Sequence, residues 1–229
     1  MPGTAIKVDA VTGRTRIGRS LFARIALTSI ALVIWFSSQK LIGMRSTPNL
    51  EIGDQIHTLT ASVNSYLQNH PATANVLLIV SSGIIDLLGL FLLSRWIFAG
   101  SSRPFVGLVI VLGLRQIMQL LVALPTPLNA IWRYPGFPSL LVTYNVSNDY
   151  FFSGHTAIAV LAATEIARLR KGWLTTLAVL IVIFEVATVL VLRAHYTMDV
   201  FTGAITGLYA AHLANCISVR RENKLKSFF

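Results

Sequence analysis

Six long apolar runs govern what this chain can fold into. They cover about 21–43, 74–98, 104–124, 155–169, 173–193 and 198–217, and Tyr150, Phe151 and Phe152 extend the fourth back to about 150. A membrane-crossing helix takes about 20 predominantly apolar residues. None of the runs alternates as a barrel strand would, and only helices then satisfy the backbone in lipid. The expected fold is all-α: a polytopic membrane protein with six transmembrane helices, its fourth span short or tilted. It reads as one membrane domain, with a basic cytoplasmic N-terminus (1–20), a six-helix core (21–217) and a basic cytoplasmic tail (218–229).

Composition agrees. Hydrophobic residues make up 54% of the chain and charged residues 12%, against about 45–50% and about 25% in soluble domains. The net charge of +10 is not a nucleic-acid footprint, because the basic residues cluster between apolar runs. With both termini cytoplasmic, most of the 19 lysines and arginines fall inside. Lys40, Arg45 and Arg133 fall outside, and Arg115 and Arg193 lie near the membrane. The lone Cys216 makes no internal disulfide and says nothing of compartment. Three outer segments follow: a polar one at about 44–73 with a short surface helix, a proline- and aromatic-rich one at about 125–152, and a tight turn at His195.

Two strings carry chemistry: Phe152-Ser153-Gly154-His155-Thr156 and His195-Tyr196-Thr197-Met198-Asp199-Val200. Between the histidines the chain crosses inward and returns, so both stand at the same, outer boundary. His195 and Asp199 are four apart and share a helix face. A carboxylate on one imidazole nitrogen fixes the tautomer and frees the other nitrogen to attack. His155 is then available as general acid. Ser153-Gly154 can offer backbone N–H groups to phosphate oxygens at a helix start. The same donor types would also suit a two-histidine, one-carboxylate metal site.

The chain resembles the sphingomyelin-synthase-related branch of the type 2 phosphatidic acid phosphatase (PAP2) superfamily. Asp149, Ser153, Gly154, His155 and Thr156 match one motif of that branch, and residues 195–200 match another. Arg115 followed by an apolar run into Leu124-Pro125-Thr126-Pro127 is similar to a third. The resemblance covers about 115–212. It implies that His195 attacks a lipid phosphate and carries the head group as a phosphohistidine, oriented by Asp199. His155 protonates the departing lipid alcohol and deprotonates the acceptor, with no metal or other cofactor. The implied partners are a phospholipid donor, a lipid alcohol acceptor (diacylglycerol or ceramide) and the membrane, but no nucleic acid. A second copy of the chain, in a homo-oligomer, is the remaining candidate partner.

Departures refine the resemblance. In the general phosphatases a Lys-x6-Arg-Pro signature and an arginine six residues before the second histidine grip phosphate. Here Arg103-Pro104 is present, but Trp96 and Val189 occupy the other two positions. That favours the synthase-like branch, with Arg115, Arg133 and Arg193 as candidate phosphate cations. Ser147-Asn148 replaces a Cys-Gly pair frequent in sphingomyelin synthases, which points toward a related plant branch that moves phosphocholine between phosphatidylcholine and diacylglycerol. Lipid phosphate hydrolysis is the alternative activity, and a non-catalytic lipid-binding relative the alternative class.

Further expectations concern single residues. Asp149 binds a head-group ammonium or caps a helix, Tyr196 contacts substrate with the motif around it, and Glu185 faces the lipid cavity or is structural. Arg115 and Arg193 contact phosphate or snorkel. Asp86 and His212 read as structural, and His57 and His70 as solvated. Gly203 and Gly207 allow close helix packing, and Asn145-Val146-Ser147 fits a glycosylation sequon. The active site is expected on the luminal, periplasmic or extracellular side.

Overall fold

The computed structural model of this chain describes residues 9–44, 52–144 and 150–226. Among them every regular element is a helix: α1 (Asp9–Gly43), α2 (Gln55–Leu59), α3 (Ala61–Asn69), α4 (Pro71–Ile97), α5 (Ser102–Leu121), α6 (Gly154–Ala167), α7 (Gly172–Val191) and α8 (Thr197–Lys226). Asp149, Arg45, Lys7 and the sequon lie outside the described residues. The short helix expected in the first polar segment is present as two, α2 and α3.

Five helices are long and apolar enough to cross a membrane: Leu21–Ile42 within α1, then α4, α5, α7 and the Thr197–Arg220 part of α8. The sixth expected span is shorter. α6 has 14 residues, which at 1.5 Å per residue reach only about 21 Å of a core roughly 30 Å thick. Tyr150–Ser153 does not extend it, because Ser153 adopts extended backbone and caps the helix, its hydroxyl accepting the Thr156 N–H at 3.4 Å. α6 still occupies the middle of the bundle, packed by α4, α5, α7 and α8.

Small residues allow that central position. Ala157, Ala159 and Ala162 are buried on α6, and the bare faces of Gly203 and Gly207 on α8 press against it. A Cβ on Gly203 would stand 2.5 Å from the Ser153 carbonyl oxygen, and one on Gly207 2.7 Å from that of Ala157. Backbones approach this closely in lipid when small residues recur four apart. The Ser153 N–H donates to the Asp199 carbonyl at 3.1 Å, which ties the start of α6 to the first turn of α8.

The chain between α5 and α6 enters the bundle. Asp86, fifteen residues into α4 and so about 22 Å along it, accepts the Ser139 hydroxyl and the N–H groups of Leu140 and Leu141, each at 2.9 Å. Leu141 and Val142 then join Ile85, Leu88 and Leu92 in the main core. Irregular backbone at membrane depth persists only where protein satisfies it, and Asp86 is the group that does so. At the end of the bundle away from Ser153, Glu165 holds Arg103 through two bonds of 2.8 and 3.0 Å, so Arg103-Pro104 is far from the histidines.

α1 is the loosest helix. Only 11% of its most apolar stretch is buried, against 28–44% for the other four. Arg24 anchors it near the start of α5, donating to the Ile97 carbonyl at 3.3 Å and lying 5.3 Å over Trp96. Gly203→Ala should force α6 from α8 and cost about 1–3 kcal/mol, read as a lowered Tm in detergent micelles. Gly113→Ala, whose Cβ meets nothing within 4 Å, should leave Tm unchanged or slightly raised.

Candidate active site

His195 owes its position to how α7 ends. The N–H groups of Arg193 and Ala194 bond back to the carbonyls of Leu190 (3.1 Å) and Val189 (2.9 Å). This paired cap needs a residue in the left-handed region, commonly glycine. Arg193 takes that place at φ 53°, a conformation that an L side chain resists. Its guanidinium compensates by donating to the carbonyls of Leu128 at 2.8 Å and His57 at 3.2 Å. Arg193 thus clamps two neighbouring segments. It does not line the space between the histidines.

The next residues present His195. Its Nδ1 lies 2.7 Å from the Tyr150 carbonyl oxygen. A carbonyl only accepts, so Nδ1 carries the hydrogen and Nε2 of the neutral ring keeps its lone pair. Asp199 Oδ2 stands 3.8 Å from Nδ1, beyond hydrogen-bond reach. The expected carboxylate–imidazole bond is therefore replaced by a backbone one. The reason is local: Oδ2 accepts the Tyr196 N–H at 2.9 Å and caps the start of α8. Asp199 is fully buried, and its Oδ1 has no hydrogen-bond partner.

His155 stands in the first turn of α6, with Trp132 edge-on to it at 5.3 Å. Its Nε2 is buried without a partner. Arg115 reaches over from α5 and donates through Nε to the Phe152 carbonyl at 3.0 Å. A Cβ on Gly154 would lie 2.9 Å from that Nε, so a larger residue there would push the guanidinium aside. Arg115, Gly154, His155 and His195 line one cavity of about 30 Å³. That is room for about one water molecule, so a lipid head group enters only when a wall moves.

Other expected contacts fall elsewhere. The Ser153 N–H is bonded to the Asp199 carbonyl and its hydroxyl to Thr156, so neither is offered to a phosphate. Tyr196 donates through its hydroxyl to the Pro125 carbonyl at 3.1 Å. It borders a neighbouring cavity of about 430 Å³ with Asp54, His57 and Arg193. Glu185 accepts the Ser81 hydroxyl at 2.6 Å, between α7 and α4, and does not line the histidine cavity. Among the described residues no three His, Cys, Asp or Glu side chains gather closely enough to hold a metal ion.

A family model described as AtPDCT1/2 matches residues 53–216. The chain belongs to the AtPDCT1/2 family. It is 25% identical over 175 residues to phosphatidylcholine:diacylglycerol cholinephosphotransferase 1 of Arabidopsis thaliana, an alignment covering 76% of this chain and 56% of that protein. The corresponding cholinephosphotransferase 2 of the same plant is 23% identical over 155 residues, with 68% and 51% covered. The chain spans about half the length of these curated relatives. No solved structure matches.

The AtPDCT1/2 match begins just before Asp54, a residue whose place in the site the sequence conceals. Asp54 Oδ1 accepts the N–H groups of Ile56 (2.9 Å) and His57 (3.4 Å), capping α2. The same carboxylate accepts the Thr197 N–H at 2.6 Å and hydroxyl at 2.8 Å, capping α8. Burial opposes its charge, but the Thr197 bonds and nearby His57 outweigh it and hold the carboxyl below its ordinary value. His57 is buried rather than solvated, with Nε2 at 3.0 Å from the His195 carbonyl. An aspartate before a short helix is a legible cap signal; a partner 143 positions away is not. Asp54→Ala should remove both caps and cost roughly 2 kcal/mol, measured as a Tm drop, with Asp54→Asn retaining part of it.

Proposed function

We propose that this chain moves phosphocholine between phosphatidylcholine and diacylglycerol, carrying the head group covalently on His195. The observation that supports it most is the Nδ1 bond of His195 to the Tyr150 carbonyl, which leaves Nε2 as the lone-pair nitrogen in a cavity shared with His155 and Arg115. The names of the relatives support the substrate pair.

In this reading His195 Nε2 attacks phosphorus, and the bond from phosphorus to the glycerol oxygen breaks. His155 gives its proton to that oxygen, so diacylglycerol leaves. Arg115 balances charge on the phosphate oxygens. An incoming diacylglycerol hydroxyl then returns a proton to His155 and attacks phosphorus, the N–P bond breaks, and His195 regains its lone pair. Asp199, 3.8 Å from Nδ1, steadies the positive charge that develops on the ring.

The basic residues support cytoplasmic termini and a site on the opposite side, with α6, packed by α4, α5, α7 and α8, read as the sixth crossing. Hydrolysis is the second reading. A cavity of about 30 Å³ has room for a water molecule, and water attacking the same intermediate would release phosphocholine.

Purified protein given choline-labelled phosphatidylcholine should form new labelled phosphatidylcholine bearing the acyl chains of added diacylglycerol. His195→Ala should abolish transfer, and the wild type should show acid-labile label on His195. Labelled sphingomyelin from added ceramide, or free phosphocholine as the sole product, would overturn the assignment. Replacing Tyr150 leaves the carbonyl in place, so Tyr150→Phe should keep activity within about threefold.

A further inference from the structure

α1 lies outside the family match at 53–216, yet it supplies part of the cavity wall. Trp35 lines the histidine cavity and is 5% exposed, and its indole N–H is buried without a hydrogen-bond partner. Gln39, one turn further along the same face of α1, is 3% exposed, and neither of its amide atoms has a partner. On α5, Leu112 lines the same cavity. One turn beyond it stands Gln116, whose two amide atoms are also buried and unpartnered.

Helix geometry puts the two glutamines at a similar depth. Arg24 fastens the early part of α1 near the start of α5, so the two helices run in the same direction, and they are in contact. Trp35 and Leu112 border the cavity, and Gln39 and Gln116 rise one turn above them. An unsatisfied amide is costly in a membrane bundle, where no water can pair with it. Two glutamines and an indole N–H together make a costly arrangement unless a ligand completes it.

We propose that Trp35, Gln39 and Gln116 form a binding site for the ester-bearing glycerol backbone of a diacyl lipid. The chemistry matches group for group. Ester carbonyls only accept, and the indole N–H and the glutamine NH₂ groups donate. The hydroxyl of diacylglycerol is left to His155 and the phosphorus. The inference rests on the proposed transfer reaction, in which the leaving and the entering alcohol are both diacylglycerols, so one backbone site serves both half-reactions. It also gives the loosest helix of the bundle a role: α1 is the wall that yields to lipid.

Transfer to a 1,2-diacylglycerol is compared with transfer to its 1,2-dialkyl ether analogue, which keeps the hydroxyl and lacks the carbonyls. Wild type should favour the diester about three- to tenfold, the span of one or two lost hydrogen bonds. In Trp35→Phe and Gln39→Leu that ratio should fall toward one. Thermal unfolding of the purified chain with each lipid added reads binding apart from turnover and should show the same loss of preference. A ratio that stays at the wild-type value, or a wild type indifferent to the carbonyls in both measurements, overturns the site. Failure of wild type to transfer to either alcohol overturns the reaction itself, while the unfolding comparison still decides the binding site.

Discussion

The joint between two helix starts is what the rest of the site depends on. Ser153 at the head of α6 donates its N–H to the Asp199 carbonyl in the first turn of α8, and Gly203 lets the two backbones meet there. A helix start leaves N–H groups that water satisfies elsewhere; inside an apolar bundle another part of the chain has to supply the partner. That necessity brings residues 153–155 and 195–199 together. The histidine pair therefore follows from backbone satisfaction in the bundle, and it would be lost if α6 and α8 were held apart.

Acidic side chains perform most of the remaining anchoring. The chain has nine of them. Asp86 holds the entering loop through Ser139, Leu140 and Leu141. Asp54 caps α2 and α8 at once, Asp199 caps the Tyr196 turn, and Glu165 closes the opposite end with Arg103. Each of these carboxylates accepts from at least one N–H, O–H or guanidinium donor, which offsets part of the cost of taking it from water, while Asp199 Oδ1 is left over. Their use as fasteners explains why Glu185, bonded to Ser81, stands apart from the histidine cavity.

What could be read from the sequence was what is periodic or local. Helix spans followed from apolar run length, and α4, α5 and α7 lie within a few residues of the expected bounds. The meeting of His155 and His195 in one cavity agrees with a chain that runs away from the first histidine and turns back to the second, and the close packing at Gly203 and Gly207 with their four-residue spacing. The orientation of His195 did not follow, because its partner is a main-chain carbonyl, and any residue at position 150 offers one. The burial of His57 and the double duty of Asp54 depend on partners more than a hundred positions away. The left-handed turn at Arg193 was hidden because that conformation commonly selects glycine.

The size of the cavity bears on how such a site would separate transfer from hydrolysis. With about 30 Å³ between the histidines, water fits and a head group does not. A phosphohistidine formed there would be exposed to attack by any water that shared the space. Transfer wins only if the lipid that opens the site also fills it, so that the acceptor hydroxyl takes the place water would occupy. The wall best suited to yield is α1, which buries the least of its surface against the bundle, and its Trp35 borders the cavity. Entry from the lipid side would thus admit an alcohol and exclude solvent in one movement, making the loose packing of α1 a condition of selectivity.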